Sequence, residues 1–338
     1  MKQLLATTLV LAVAGLGSLP ATPALAAPPK CGHVTIANMN WPSAELIAWV
    51  DKIILTKGYG CQAELVPGDT QPTLTAMVER GEPDIAPEAW INSMRRLLDQ
   101  AVADKRLVYA ASELAQGGTE GWWIPDYVAK AHPDIKTIDD ALRHPELFPD
   151  PEDPDRGAVY NCPSGWNCQI TTGNLFKAYG AAGKGFALVD TGSAAGLDGS
   201  IAKAFARHQG WLGYYWGPTA ILGKYHLVRL EAGVPHDAQE WQTCTAVADC
   251  TAPKPNAWAK SEVYTVVTAR FAAKAGPVLA YLKTRAFPTN APVNAMLAWM
   301  TDNQATGEEG ARHFLKTMPQ IWTGWVPAEA AAKVKAGL

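Results

Sequence analysis

HVTIANMNWPSAELIAWVDKIILTKGYGCQAELV, residues 33 to 66, decides the fold. His33 to Ala37 reads as a strand. From Ser43 to Thr56 apolar residues recur at helical spacing, Ser43 is placed to cap that helix, and Gly58 and Gly60 stop it. Gln62 to Val66 is a second strand. The same order then continues, with a helix over 71–80, a short strand from Asp84 to Pro87 and a helix over 91–103. The alternation predicts an α/β architecture with a parallel sheet and helices on its faces.

A second unit follows with less regularity. Strands are predicted over 121–124, 158–161, 186–190 and 211–216, and helices over 126–131, 168–179 and 194–207. The proline-rich stretch from His144 to Gly157 is a surface loop. After Gly223, the runs 225–230 and 263–268 read as strands that return to the first unit, with the helical C-terminal segments packed around it. The expected organisation is therefore a discontinuous first lobe, 27–118 and 224–338, and a continuous second lobe, 119–223. Clefts between such lobes, at the carboxyl ends of parallel strands, are where ligands bind.

The first 26 residues read as an export signal: Lys2, an apolar run from Leu4 to Leu19, then Pro23-Ala24-Leu25-Ala26 as a small-x-small cleavage site. The run is short and broken by Gly15, Gly17 and Pro20, which argues against a membrane span. The expected product is a monomeric periplasmic protein, not embedded in a membrane. Six cysteines in an exported chain read as bridges. Cys162 with Cys168 and Cys244 with Cys250 enclose short loops, which leaves Cys31 with Cys61 at the starts of two neighbouring strands. Zinc would favour closer C-x2-C pairs, and thiolates in an oxidising space tend to oxidise.

Charge narrows the partners. The chain has 29 Lys and Arg against 32 Asp and Glu, and loss of Lys2 with the leader tips the balance one unit further. No basic cluster is present to attract nucleic acid, and 48% apolar residues suffice for a large core. No H-E-x-x-H, G-x-S-x-G or phosphate-binding glycine loop occurs, so neither a metal nor a cofactor is expected.

Tryptophan placement is the functional signal. Trp90 ends DIAPEAW (84–90), Trp166 sits inside YNCPSGWNCQ (160–169) and Trp216 falls in WLGYYWGPT (211–219), each at the carboxyl end of a predicted strand. Trp41 stands at the matching end of the first strand, and Trp122 and Trp123 lie near the first crossing between lobes. A single tryptophan is more often core than ligand site, and Trp49, Trp211, Trp299 and Trp322 are assigned to the core. Several indole faces around one spot attract a cation that carries no N–H donors, such as a quaternary ammonium, at about 0.5 to 2 kcal/mol per ring. Sugars also stack on indoles, but their sites need many convergent polar groups, which are scarce around these motifs.

DIAPEAW, CPSGWNC and GYYWGPT, in this order and at this approximate spacing, resemble the glycine betaine and related quaternary-amine binding proteins of osmoprotectant-type ABC importers, over essentially the whole mature length. The resemblance implies a type II periplasmic-binding-protein fold, a cage of Trp90, Trp166 and Trp216, lobe closure on the ligand, a permease and an ATPase as partners, and no catalysis. On this reading the Cys162–Cys168 bridge preorganises Trp166, and the N–H groups of Trp166, Asn167 and Cys168 converge at a helix start that favours an anion.

Departures from the betaine pattern bear on specificity. Betaine-selective relatives commonly carry histidine four residues after the first cage tryptophan, where this chain has Met94. Glu88 and Glu120 lie beside cage candidates, and Trp41, Trp122 and Trp123 are further candidate walls. A pocket carboxylate repels glycine betaine's own carboxylate, but suits choline or a protonated amine oxide. GGTEGWW (117–123) is also similar to the branch that takes trimethylamine N-oxide. The competing class is a secreted glycosidase, in which two acids flank the scissile bond beside stacking tryptophans.

Overall fold

Two five-stranded sheets carry the chain in the computed structural model, which describes residues 31–338. The predicted leader over 1–26 lies outside the described residues. In the first sheet β1 (His33–Met39) pairs in parallel with β2 (Gln62–Gly68), from His33 opposite Gln62 to Met39 opposite Gly68, and with β3 (Ile85–Trp90) on its other side. Between these strands run α1 (Pro42–Ile53) and α2 (Thr70–Glu79), and α3 (Arg95–Ala103) follows β3. The βαβαβα reading of the N-terminal third therefore holds to within a few residues at each boundary.

The same sheet also contains antiparallel strands that the alternation did not foretell. β4 (Leu107–Ser112) was not predicted: its sequence, LVYAAS, is half small residues with weak strand preference. Its pairing comes from one side only, through antiparallel β10 (Val263–Thr268), which also pairs with β3; the sheet order is β2-β1-β3-β10-β4.

The second sheet runs β7-β6-β8-β5-β9. Here β6 (Gly157–Tyr160) is parallel to β7 (Phe186–Val189) and β8 (Gly213–Gly217), while β5 (Thr119–Pro125) is antiparallel to β8. β9 (Leu227–Arg229) pairs with β5, Trp123 opposite Arg229. The expectation that this strand returns to the first sheet is thus corrected; of the two segments assigned to the return, 263–268 makes it and 227–229 stays. Helices α4 (Asn167–Ala178) and α5 (Ala194–Arg207) flank this sheet.

The chain passes between the sheets around Gly118 and Ser261. The Gly118 N–H donates to the Ser261 carbonyl at 2.8 Å and the Ser261 N–H to the Gly118 carbonyl at 3.1 Å, so the two crossings are tied together. All three expected cysteine pairs are bridged, with Cα separations of 5.0, 5.6 and 5.0 Å for Cys31–Cys61, Cys162–Cys168 and Cys244–Cys250. No helix among the described residues is long and apolar enough to cross a membrane.

Candidate functional site

Four indoles meet in the cleft. Trp41 follows β1 and precedes α1, Trp90 ends β3, Trp166 precedes α4, and Trp216 lies near the end of β8. Trp166 stands edge-on to both Trp41, at 5.2 Å between ring centroids, and Trp216, at 4.9 Å. These three with Trp90 line one pocket, together with Thr70, Asn92, Ser93, Glu120, Asn167, Cys168 and Tyr214. Two walls thus come from the first sheet's side and two from the second's. Strand geometry accounts for the pairing of Tyr214 with Trp216: residues two apart share a face.

The void is compact. Taken as a rounded void, its free space is about 150 Å³, or about five waters' share of liquid volume. A solute of a few heavy atoms fits there, whereas an oligosaccharide does not. A wider groove lined by Met39, Asn40, Glu45, Asp69, Arg80 and Asp198 opens beside it, but of the indoles only Trp41 reaches that groove.

The loop carrying Trp166 is held at several points. The bridge closes its ends, Asn161 Oδ1 accepts the Cys162 N–H at 2.9 Å, and Gly165 turns the chain at φ +86°. A side chain at Gly165 would also meet Asp69, with an added Cβ only 2.9 Å from Oδ2. Across the cleft, the Trp166 indole N–H donates to Asn40 Oδ1 at 2.5 Å and the Gln71 N–H to the Gly165 carbonyl at 3.3 Å. One element of the expected anion site is corrected: the Trp166 backbone N–H donates to the Pro163 carbonyl at 3.3 Å and is not free. The N–H groups of Asn167 and Cys168 open α4 and have no acceptor within the helix. Asn167 Nδ2 is buried at the pocket without a partner, a further donor facing this space.

Glu120 is the one carboxylate among the pocket's lining residues, and no basic side chain joins it. Its Oε1 accepts the Tyr214 hydroxyl at 2.8 Å and its Oε2 the Ser261 hydroxyl. Burial pushes Glu120 above the usual carboxylate range, opposed by those two hydroxyls. The site therefore sets an acid beside indole faces, and donors from Asn167 and the start of α4 among its other walls.

Some candidates fall elsewhere. Trp122 is fully buried one strand period deeper than Glu120 on the same face of β5, with its ring 6.3 Å from Tyr179. Trp123 points to the opposite face, donates its indole N–H to the Tyr215 carbonyl at 2.9 Å, and borders a separate groove near Asn290. Neither lines the cleft pocket, which corrects their assignment as walls. Met94 borders the groove beside Arg95 and Arg96 instead of the pocket. Glu88 sits behind the indoles, not among the lining residues. Tyr214, Thr70, Asn92 and Ser93 line the pocket without having been singled out, although the i, i+2 relation of Tyr214 to Trp216 was readable.

Comparison with known proteins agrees with this architecture. The chain has the fold of periplasmic binding proteins: it matches glycine/betaine/L-proline-binding protein ProX from Borrelia burgdorferi with a TM-score of 0.69 at 15% identity, covering 89% of this chain and 99% of that one. It matches an ABC-transporter choline binding protein in complex with choline at 0.72 and 19%, covering 92% and 99%. Lactococcal OpuAC, closed and complexed with glycine betaine, matches at 0.66 and 16%, covering 88% and 100%. No curated protein sequence matches the chain. A family model does, over residues 32–317, and the chain belongs to that family: the substrate binding domain of ABC-type glycine betaine transport systems. Members of this family are the substrate-binding components of transport systems.

Proposed function

We propose that this protein captures a methylated ammonium solute among Trp41, Trp90, Trp166 and Trp216, and passes it to the permease and ATPase of an ABC importer. It works as a monomer in the periplasm, after removal of a leader over residues 1–26. The observation that carries the reading is the convergence of four indoles from both sides of the cleft on one compact void. Each face contributes about 0.5 to 2 kcal/mol toward a cation whose methyl groups exclude water.

Within that class, Glu120 favours solutes without a carboxylate of their own. An ionised Glu120 attracts choline, and a protonated one donates to the oxygen of trimethylamine N-oxide, for which its raised pKa is suited. Glycine betaine is the second reading, supported by the donors of Asn167 and the start of α4, which suit a carboxylate. Against it stands a pocket without a basic side chain. A glycosidase has less support, because hydrolysis calls for two acids across the bond and Glu120 lines the pocket alone.

Calorimetry on the mature protein with choline, trimethylamine N-oxide and glycine betaine, alongside tryptophan emission, tests this. Binding of choline or the N-oxide ahead of betaine, with an emission shift and no turnover, is expected. Betaine binding most tightly would overturn the Glu120 argument, and no binding by any of the three would overturn the cage.

A further inference from the structure

The two first-side indoles are held by a group outside the pocket. Glu88, in β3, is 1% exposed, and its single oxygen Oε1 accepts three hydrogen bonds: from Trp41 Nε1 at 2.7 Å, Trp90 Nε1 at 2.9 Å and Ser43 Oγ at 2.9 Å. Trp90 is two residues along on the same face of the strand, and Trp41 arrives from the end of β1. An indole has one polar atom, so anchoring Nε1 fixes the rotation of a ring whose faces are already packed. An N–H donated to an ionised acceptor also forms a stronger, more polarised bond, which leaves more negative charge on the ring face that a cation meets.

We propose that Glu88 is a positioning and specificity-determining residue, orienting Trp41 and Trp90 together and, through its negative charge behind their N–H edges, tuning both rings for a cationic ligand. The inference rests on the cage reading above.

Several groups around Glu88 stabilise its charge. Behind it lie Arg285, Asp51 and Glu113, all fully buried. Arg285 Nε is 2.9 Å from Asp51 Oδ1, an ion-pair distance although the N–H is not aimed along a hydrogen bond. Its Nη1 is 3.8 Å from Glu113 Oε1, and its Nη2 donates to the Pro87 carbonyl at 2.9 Å and to Thr265 Oγ1 at 2.6 Å. One guanidinium thus faces three buried acids, and they differ in what they receive. Glu113 accepts no hydrogen bond on either oxygen, and burial followed by the charge of Glu88 pushes it well above the usual range. Burial, the largest influence, raises Glu88 above the usual carboxylate range, and the Trp41, Trp90 and Ser43 donors and the charge of Arg285 hold that rise back.

Two variants separate orientation from charge: E88Q keeps an acceptor oxygen and removes the charge, and E88L removes both. The first readout needs no solute. In 1H–15N spectra the indole N–H signals of Trp41 and Trp90, assigned by their loss in W41F and W90F, are expected far downfield in the parent and shifted upfield in E88L. Should E88L fail to fold, E88Q carries the test with a smaller shift in the same direction. Signals unmoved in the folded variants overturn the proposal. The second readout compares choline with its uncharged carbon isostere, 3,3-dimethyl-1-butanol. E88Q should weaken choline by about tenfold while leaving the isostere nearly unchanged, a split that general loss of packing does not produce. Equal losses for both refute the charge role. W90A separates the two readings: parent-like choline binding by W90A sinks the cage itself, whereas lost binding in W90A with parent-like binding in E88L sinks only the role of Glu88.

Discussion

Gly118→Ala should disable Trp90 without touching it chemically. A Cβ built on Gly118 falls 2.1 Å from Trp90 Cζ3 and 2.2 Å from Cη2, where carbon atoms pack no closer than about 3.5 Å. The backbone at Gly118 cannot easily yield, because it exchanges two hydrogen bonds with Ser261. Its φ lies outside the left-handed range, so alanine carries no conformational penalty there. The strain therefore falls on the ring, which must move by about 1.4 Å to restore contact. Such a shift breaks the 2.9 Å bond from Trp90 Nε1 to Glu88 or tilts the face away from the void. Losing one indole face costs about 0.5 to 2 kcal/mol, or roughly two- to thirtyfold in affinity. Calorimetry of the parent, G118A, W90F and the double variant measures it. Phenylalanine lacks the atoms that clash, so G118A should add almost nothing in the W90F background. Parent-like affinity in G118A, or an equal loss in both backgrounds, would refute the reasoning.

Replacing any one of Trp90, Trp166 and Trp216 by alanine should cost about 1 to 3 kcal/mol in affinity, with phenylalanine restoring part. Trp299→Ala, whose ring stacks on His313 at 3.8 Å away from the cleft, should leave affinity unchanged in the folded protein. The Cys162→Ser/Cys168→Ser variant should bind about tenfold more weakly, because Trp166 must then be ordered on binding; unchanged affinity by calorimetry contradicts preorganisation. Glu120, raised by burial, is neutral at low pH in the free protein, so stability should fall as pH rises from the usual carboxylate value through the raised one. Choline affinity should climb across the same window, since the cation favours the ionised form. In melting and titration curves of E120Q the climb in choline affinity should vanish and the fall in stability should shrink to what Glu88 and Glu113, also raised by burial, contribute.

Much of the molecule was legible, and the omissions have physical causes. The first three strands and their helices alternate cleanly because both faces of a parallel sheet must be covered, and that requirement writes itself into the apolar spacing. β4 was invisible because Ala110, Ala111 and Ser112 carry little strand preference, and its place depends on β10, 151 residues further on from Ser112 to Val263. The cage tryptophans could be found because they sit at strand ends, where side chains reach the cleft. Trp122 and Trp123 shared the composition but not the depth: one strand period separates Glu120 at the rim from Trp122 in the core. Glu88 read as a candidate pocket carboxylate and not as an anchor for the rings, since nothing local announces that two indoles 47 and 2 residues away donate to the same oxygen.

The most direct test of the central claim is a crystal structure of the mature protein with the tightest-binding solute of the panel. The ammonium nitrogen is predicted to lie within about 6 Å of the ring centroids of Trp41, Trp90, Trp166 and Trp216, with Glu120 or Asn167 on the solute's oxygen. An ammonium group seated in the wider groove beside Asp69 and Asp198, or meeting fewer than two of those rings, would contradict the account.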